Sequence, residues 1–169
     1  MILSMRTLNR KSETSSRTAA DPLITRAKLV EIQNKLARLK AIRPEAATEV
    51  SRLAQLGDFS ENAEYQAAKG RLRGINNGID NLEDQLNHAV IISPQNQTHT
   101  VEIGHTVTVA EGDTQKTFQI LGSAETSPGR GIISHNSPLG AALIGRHVGD
   151  VVTIRLTNKE VAYRVVRIA

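Results

Sequence analysis

The sequence predicts an α+β protein in two parts, an N-terminal antiparallel α-helical coiled-coil hairpin followed by a small antiparallel β-sheet domain with one short helix. Two observations carry this expectation. Apolar residues recur at alternating spacings of three and four between Leu29 and Ala89, with Arg43 and a glycine-bearing turn as interruptions, and beyond residue 98 the apolar period becomes two. The first period puts apolar side chains on one stripe of a helix; the second puts them on one face of a strand. No apolar run approaches the ~18 residues needed to span a bilayer, so no membrane association is expected.

The elements follow in order. Leu29, Ile32, Leu36, Leu39, Ala46, Val50 and Leu53 form the seam of the first helix, and Tyr65, Ala68, Leu72, Ile75, Ile79, Leu82, Leu86 and Ala89 form the seam of the second. The short linker carrying Gly57 folds the helices back on each other, so residues 22–92 form the hairpin with its acidic tip at 57–62. Arms of about thirty residues make a spike roughly 40–45 Å long at 1.5 Å per residue. Pro44 lies inside the first arm, where a kink is expected. Gly70, Gly74 and Gly78 each cost the second helix about 1 kcal/mol relative to alanine, for which close helix approach along that side is the expected reason. Asn76 and Asn77 weaken the same helix further.

Residues 93–98 read as a linker and 99–169 as the second domain. There, His105–Glu111 and Gln115–Gly122 alternate across a Gly112-Asp113 turn, and Asp150–Leu156 and Glu160–Ile168 repeat the pattern across residues 157–159. Between these hairpins, Ser137 as a cap, Pro138 at the first helical position and Gly145 as a stop predict the short helix. At the other end, residues 1–21 carry Arg6, Arg10, Lys11 and Arg17 with little periodicity and read as a disordered basic arm.

Composition narrows the function. With 21 basic and 17 acidic residues the net charge is +4, which permits an anionic partner without the lopsided charge of a naked-duplex binder. The absence of cysteine excludes disulfides and thiolate metal sites and suits a reducing, cytoplasmic location. His88, His99, His105, His135 and His147 include no pair at helical ligand spacing and are assigned no metal. No nucleophile motif or phosphate-cradling glycine loop is present, so a free-standing enzyme has no support.

The chemistry therefore concentrates in LGDFSEN, Leu56–Asn62, where two readings stand side by side. Asp58 can accept backbone N–H groups at the start of the second helix while Glu61 reaches back from three residues on, a plain capping arrangement. Alternatively, two carboxylates at the end of a rigid spike can enter a partner's pocket and add oxygen ligands to a hard cation such as Mg²⁺, which is usually held by one or two protein carboxylates. A capping carboxylate retains lone pairs, so the readings are compatible.

The run GDFSENAEYQAAK, Gly57–Lys69, closely resembles the GDLSENAEYxAAK signature of the bacterial Gre transcript cleavage factors, and SPLGAALIGRHVGDVV, Ser137–Val152, resembles their second signature. The resemblance extends from about Pro22 to the end; the apolar Phe59 in place of leucine is closer to the GreA branch than the arginine common in the GreB branch. It implies an FKBP-like C-terminal domain that binds RNA polymerase at the mouth of its secondary channel, and a monomer when acting. It also implies that the hairpin enters the channel and meets the 3′ end of backtracked nascent RNA. Asp58 and Glu61 would then help hold a second Mg²⁺ shared with the polymerase, lending ligands to transcript cleavage rather than forming an enzyme alone.

Flanking residues carry paired expectations. Ser60 and Asn62 either contact water or RNA or fix the turn. Tyr65 occupies a seam position and is expected to pack beneath the tip. Arg52, Lys69, Arg71 and Arg73 either track RNA phosphates or form a solvated charged face. Two competing classes remain: a coiled-coil scaffold or channel-binding inhibitor in which the acids are only caps, and an isomerase or chaperone. Aromatic residues make up only 2% of the chain, and Phe118 and Tyr163, the only C-terminal candidates, alternate with polar neighbours as core residues do.

Overall fold

The structure, a computed structural model, describes residues 21–55, 63–93, 97–156 and 159–169. The basic arm up to residue 20 and the tip residues 56–62 lie outside these. A two-residue strand, β1 (Leu23–Ile24), leads into α1 (Arg26–Ala54); α2 (Ala63–His88) follows, then β2 (Val90–Ile91). The second part comprises β3 (Thr106–Glu111), β4 (Thr114–Leu121), 3-10 turns at Ser123–Glu125 and Pro128–Arg130, β5 (Ile132–Ser134), α3 (Pro138–Leu143), β6 (Val151–Leu156) and β7 (Lys159–Ile168). The α+β expectation agrees with this order.

The two seams meet. Ile32, Ala46 and Leu53 of α1 and Ile75, Ile79 and Leu82 of α2 are buried, with Leu29, Leu36, Leu39, Leu72 and Leu86 packed around them. Leu39 touches Gly78 and Lys40 pairs with Glu83 at 2.6 Å, while Ala46 packs with Ile75, so the arms run antiparallel. At 29 and 26 residues they span roughly 43 and 39 Å. Pro44 does not end α1, although the Lys40 carbonyl, four residues earlier, loses its usual N–H donor there. Close approach, expected for the three spaced glycines, holds only at Gly78, where an added Cβ would lie 2.8 Å from Leu39 Cδ1; Gly70 and Gly74 face open space.

That difference makes a prediction. Gly70→Ala and Gly74→Ala remove a helix-propensity cost without a clash and are expected to stabilise the hairpin by about 1 kcal/mol each. Urea unfolding should show a higher midpoint at unchanged slope. Gly78→Ala should gain less, because the Leu39 methyl must move aside.

In the second part, Val107 and Val109 of β3, Ile120 of β4, Val152 and Ile154 of β6, and Val161, Tyr163, Val165 and Ile168 of β7 form one buried layer with Val101 and Leu143; Leu139 and Ala142 of α3 close over it. Phe118 packs against this layer and Tyr163 is part of it, as the alternation implied. The strand order is β5-β4-β3-β7-β6. One correction to the sequence expectation is needed: the sheet is mixed rather than antiparallel, because β5 pairs with β4 in parallel, Gln119 opposite Ile132 and Leu121 opposite Ser134. Three residues between turns carry no readable period, so β5 escapes pattern reading.

A second parallel pair, β1 with β2, joins the entry and exit of the hairpin at its base, Leu23 opposite Val90 and Ile24 opposite Ile91. The sheet domain docks onto this base. The Asp21 carboxylate, only 8% exposed, accepts from the N–H of Leu23 (3.1 Å) and of Ser123 (2.7 Å), with His135 Nδ1 at 3.4 Å. Asp21, which the sequence reading counted with the arm, thus touches the sheet domain directly.

Burial alone would raise the Asp21 pKa, but the Ser123 and Leu23 N–H groups, the Ser123 side chain and His135 together bring it below the ordinary 3.8. A carboxylate with a depressed folded pKa stabilises the fold above its unfolded value, and that contribution disappears as pH falls through the folded value. Acidification below about pH 4 is therefore expected to weaken this junction. Comparing the pH dependence of unfolding between wild type and Asp21→Asn checks it: the variant should be less stable at neutral pH, and its curve flatter on the acid side.

Candidate functional site

The ends that bracket the acidic tip, Ala54 of α1 and Ala63 of α2, lie at the end of the hairpin away from the sheet domain, because α1 begins at the junction and runs its full 29 residues outward. Asp58, Ser60, Glu61 and Asn62 fall outside the described residues. What the structure supplies is the pair of helix ends that bracket them in sequence.

At this end of the hairpin, α1 and α2 enclose a groove of about 520 Å³ lined by Ala46, Leu53, Ala67 and Ala68 together with Glu49, Arg52, Glu64 and Arg71. Small residues on both arms leave this space, and charged residues of both signs border it. Arg52 sits one turn from Glu49 and donates twice to it, Nε to Oε2 at 2.9 Å and Nη2 to Oε1 at 2.8 Å. The Arg52 hydrogen bond, with help from the charges of Arg52 and Arg71, outweighs the opposing desolvation and holds the Glu49 carboxyl below its usual range. Glu49, reinforced weakly by Glu64 across the groove, raises the guanidinium pKa of Arg52 in turn.

The four basic residues singled out in the sequence do not assemble into one stripe. Arg52 is engaged with Glu49; Lys69 Nζ lies 5.9 Å from the centre of the Tyr65 ring, within cation–π range; Arg71 lines the groove. Arg73 is exposed, and residues two apart on a helix point to different sides, so it does not join Arg71. Tyr65 is half-buried at the seam position in the first turn of α2, with Lys69 over its ring. Glu49 and Glu64 were not picked out in the sequence. Their signal was present: an acid three residues before Arg52 is a helical ion-pair spacing, and Glu64 sits in the first turn of α2, where carboxylates are favoured.

Among the described residues, no group of three or more His, Asp or Glu side chains converges to hold a metal ion. A hard cation at this end would depend on Asp58 and Glu61, whose all-oxygen donor chemistry suits Mg²⁺ but whose number leaves most of its coordination to other partners. Glu49 is committed to Arg52 and adds no free ligand.

Comparison with known proteins gives this arrangement a class. Residues 22–91 match the family model described as transcription elongation factor, N-terminal, and residues 96–169 match transcription elongation factor, GreA/GreB, C-term. A hairpin and a sheet domain that each match the corresponding half define a transcription elongation factor. The chain belongs to the GreA/GreB family of these factors. It is 39% identical over 143 residues to the transcription elongation factor GreA of Macrococcus caseolyticus, covering 82% of this chain and 90% of that protein. It is 40% identical over 129 residues to GreA of Nautilia profundicola, covering 75% and 80% of the two chains. Among solved structures, GreA factor homolog 1 (Gfh1) of Thermus thermophilus is 28% identical, covers 86% of this chain and 97% of its own, and superposes with a TM-score of 0.39.

Proposed function

We propose that this elongation factor binds RNA polymerase, inserts its hairpin into the secondary channel and stimulates endonucleolytic cleavage of backtracked nascent RNA, acting as a monomer in the cytoplasm. The observation that supports the reading is the spike: two helices roughly 40 Å long, tied together at the base by β1 and β2 and capped at the far end by a segment whose signature carries Asp58 and Glu61. A spike of that length delivers two carboxylates into a narrow passage that no small globular body enters.

In that setting Asp58 and Glu61 would hold an Mg²⁺ ion jointly with the polymerase. When bound, such an ion lowers the pKa of a coordinated water and neutralises charge developing on the phosphate. The protein's own contribution is positional. Arg52 and Glu49 pair with each other in the last turns of α1 and add modest support to that helix end. Ser60 and Asn62 orient water or the RNA end, while Arg71 and Lys69 meet backbone phosphates along the arms. The factor needs no nucleophile of its own.

The test uses stalled, backtracked polymerase carrying end-labelled RNA at controlled Mg²⁺, with the wild-type factor and Asp58→Asn and Glu61→Gln. Wild type should shorten the RNA and the variants should not, at equal polymerase binding. A wild-type protein that blocks elongation and cleaves nothing would establish the inhibitory behaviour instead.

A further inference from the structure

Helix α1 lacks a piece of its own N-terminus. Thr25 is the N-cap, and its Oγ1 accepts from the N–H of Lys28 at 3.1 Å. In a capping box, the residue at that third position is Glu or Gln, whose side chain returns to accept from the cap residue's own N–H. Here that position is Lys28, which pairs forward with Glu31 at 2.8 Å, and the first turn contains no acid. The missing carboxylate arrives from the other domain: Glu125 Oε2 accepts from Thr25 N at 2.7 Å, and its Oε1 accepts from Thr25 Oγ1 at 2.6 Å.

We infer that Glu125 completes the capping box of α1 from the sheet domain and is thereby the positioning residue that sets the direction of the hairpin. One carboxylate satisfies an orphan N–H, polarises the hydroxyl that caps the next, and places negative charge at the positive end of a 29-residue helix. Because both oxygens are engaged, the carboxylate plane defines an angle as well as a distance. The fit around it is close. A Cβ on the buried Gly122 would collide with the Leu23 carbonyl oxygen, and Asp21 ties Leu23 to Ser123 on the other side. Domains of one chain ordinarily move relative to each other unless their interface is large and apolar, and directional bonds such as these favour one orientation.

The orientation can be read in the free protein. The chain has no cysteine, so Arg38→Cys on α1 and Thr153→Cys on β6, both exposed, take a pair of nitroxide labels without background. Double electron–electron resonance should give one narrow distance distribution in the labelled parent. Glu125→Ala should broaden it as the docked population falls by about tenfold or more, the loss expected for two charge-assisted hydrogen bonds. Thr25→Ser, which keeps the hydroxyl, should stay narrow. A parent that is already broad, a Glu125→Ala variant as narrow as the parent, or a Thr25→Ser variant as broad as Glu125→Ala would each overturn the inference. Circular dichroism confirms that helix content is retained; if Glu125→Ala lowers it, Glu125→Gln, which keeps one acceptor oxygen, takes its place and should broaden to a lesser degree.

A second arm rests on the cleavage reading above and separates from it. A factor whose competent orientation is only partly populated binds with its affinity reduced by that fraction, so Glu125→Ala should raise the half-saturating factor concentration by about tenfold at an unchanged plateau rate. Loss of a tip acid does the reverse. A lowered plateau at unchanged half-saturation in Glu125→Ala would sink the positioning role, while cleavage insensitive to the tip acids would sink only the metal reading.

Discussion

Asp58→Asn is expected to slow transcript cleavage on the order of 100-fold, the scale of losing one preorganised electrostatic group, with polymerase binding unchanged. The substitution is chosen because asparagine is as good an N-cap as aspartate and nearly the same shape. It therefore leaves the turn and helix start intact while removing the charge that a hard cation requires. Glu61→Gln makes the same comparison at the second position, and the double variant should be little worse than either alone, since ligands of one ion act as a unit. A purely capping role makes the opposite forecast. Asp58→Asn would then be silent, Asp58→Ala would cost about 1 kcal/mol of stability, and cleavage would follow neither. Cleavage rates and thermal unfolding on the same three variants decide between them.

Gly140→Ala is expected to destabilise the sheet domain by about 3 kcal/mol, combining an overpacked contact with loss of a helix cap. Gly140 is buried in the first turn of α3, directly over the end of β5. A methyl there would run into the Ser134 carbonyl oxygen and lie 3.0 Å from both the Ser134 carbonyl carbon and Ser137 Oγ. Backbone cannot swing aside as the Leu39 methyl can at Gly78. The same hydroxyl, Ser137 Oγ, donates to Ser134 O at 2.6 Å and accepts from Gly140 N at 3.1 Å, so moving the helix breaks the cap as well. For a domain of this size the cost should lower the unfolding temperature by roughly 10–20 °C. An unfolding temperature within a few degrees of wild type would show that α3 can lift without penalty.

These two residues also mark how far the sequence could be read. The period of three and four placed both helical seams, and the side chains at Ile32, Ala46, Leu53, Ile75, Ile79 and Leu82 are the ones buried. The period of two placed β3, β4, β6 and β7, and the Ser137-Pro138 start of α3 was legible from cap chemistry alone. The glycines were read less well. Gly70 and Gly74 carry the same local signal as Gly78, yet only Gly78 faces the opposite arm, because helical phase relative to a partner is a property of the pair. The basic residues near the tip fared similarly: spacing put them close along the chain, while Glu49 and the Tyr65 ring determined where Arg52 and Lys69 are held.

What the sequence determined by itself is everything that a few consecutive residues encode: two amphipathic helices, four alternating strands, a capped short helix, and a tip carrying Asp58 and Glu61 between them. Tertiary structure alone decided which distant pieces meet. β5 joins β4 in parallel, β1 joins β2 at the hairpin base, and Glu125 reaches Thr25 across 100 positions of sequence. The physical reason is one of range. Periodicity and capping are satisfied within a turn or two of chain, so they leave a local record. A carboxylate that completes another domain's helix cap needs only to be an exposed glutamate in its own neighbourhood, and nothing nearby in sequence distinguishes it from any other.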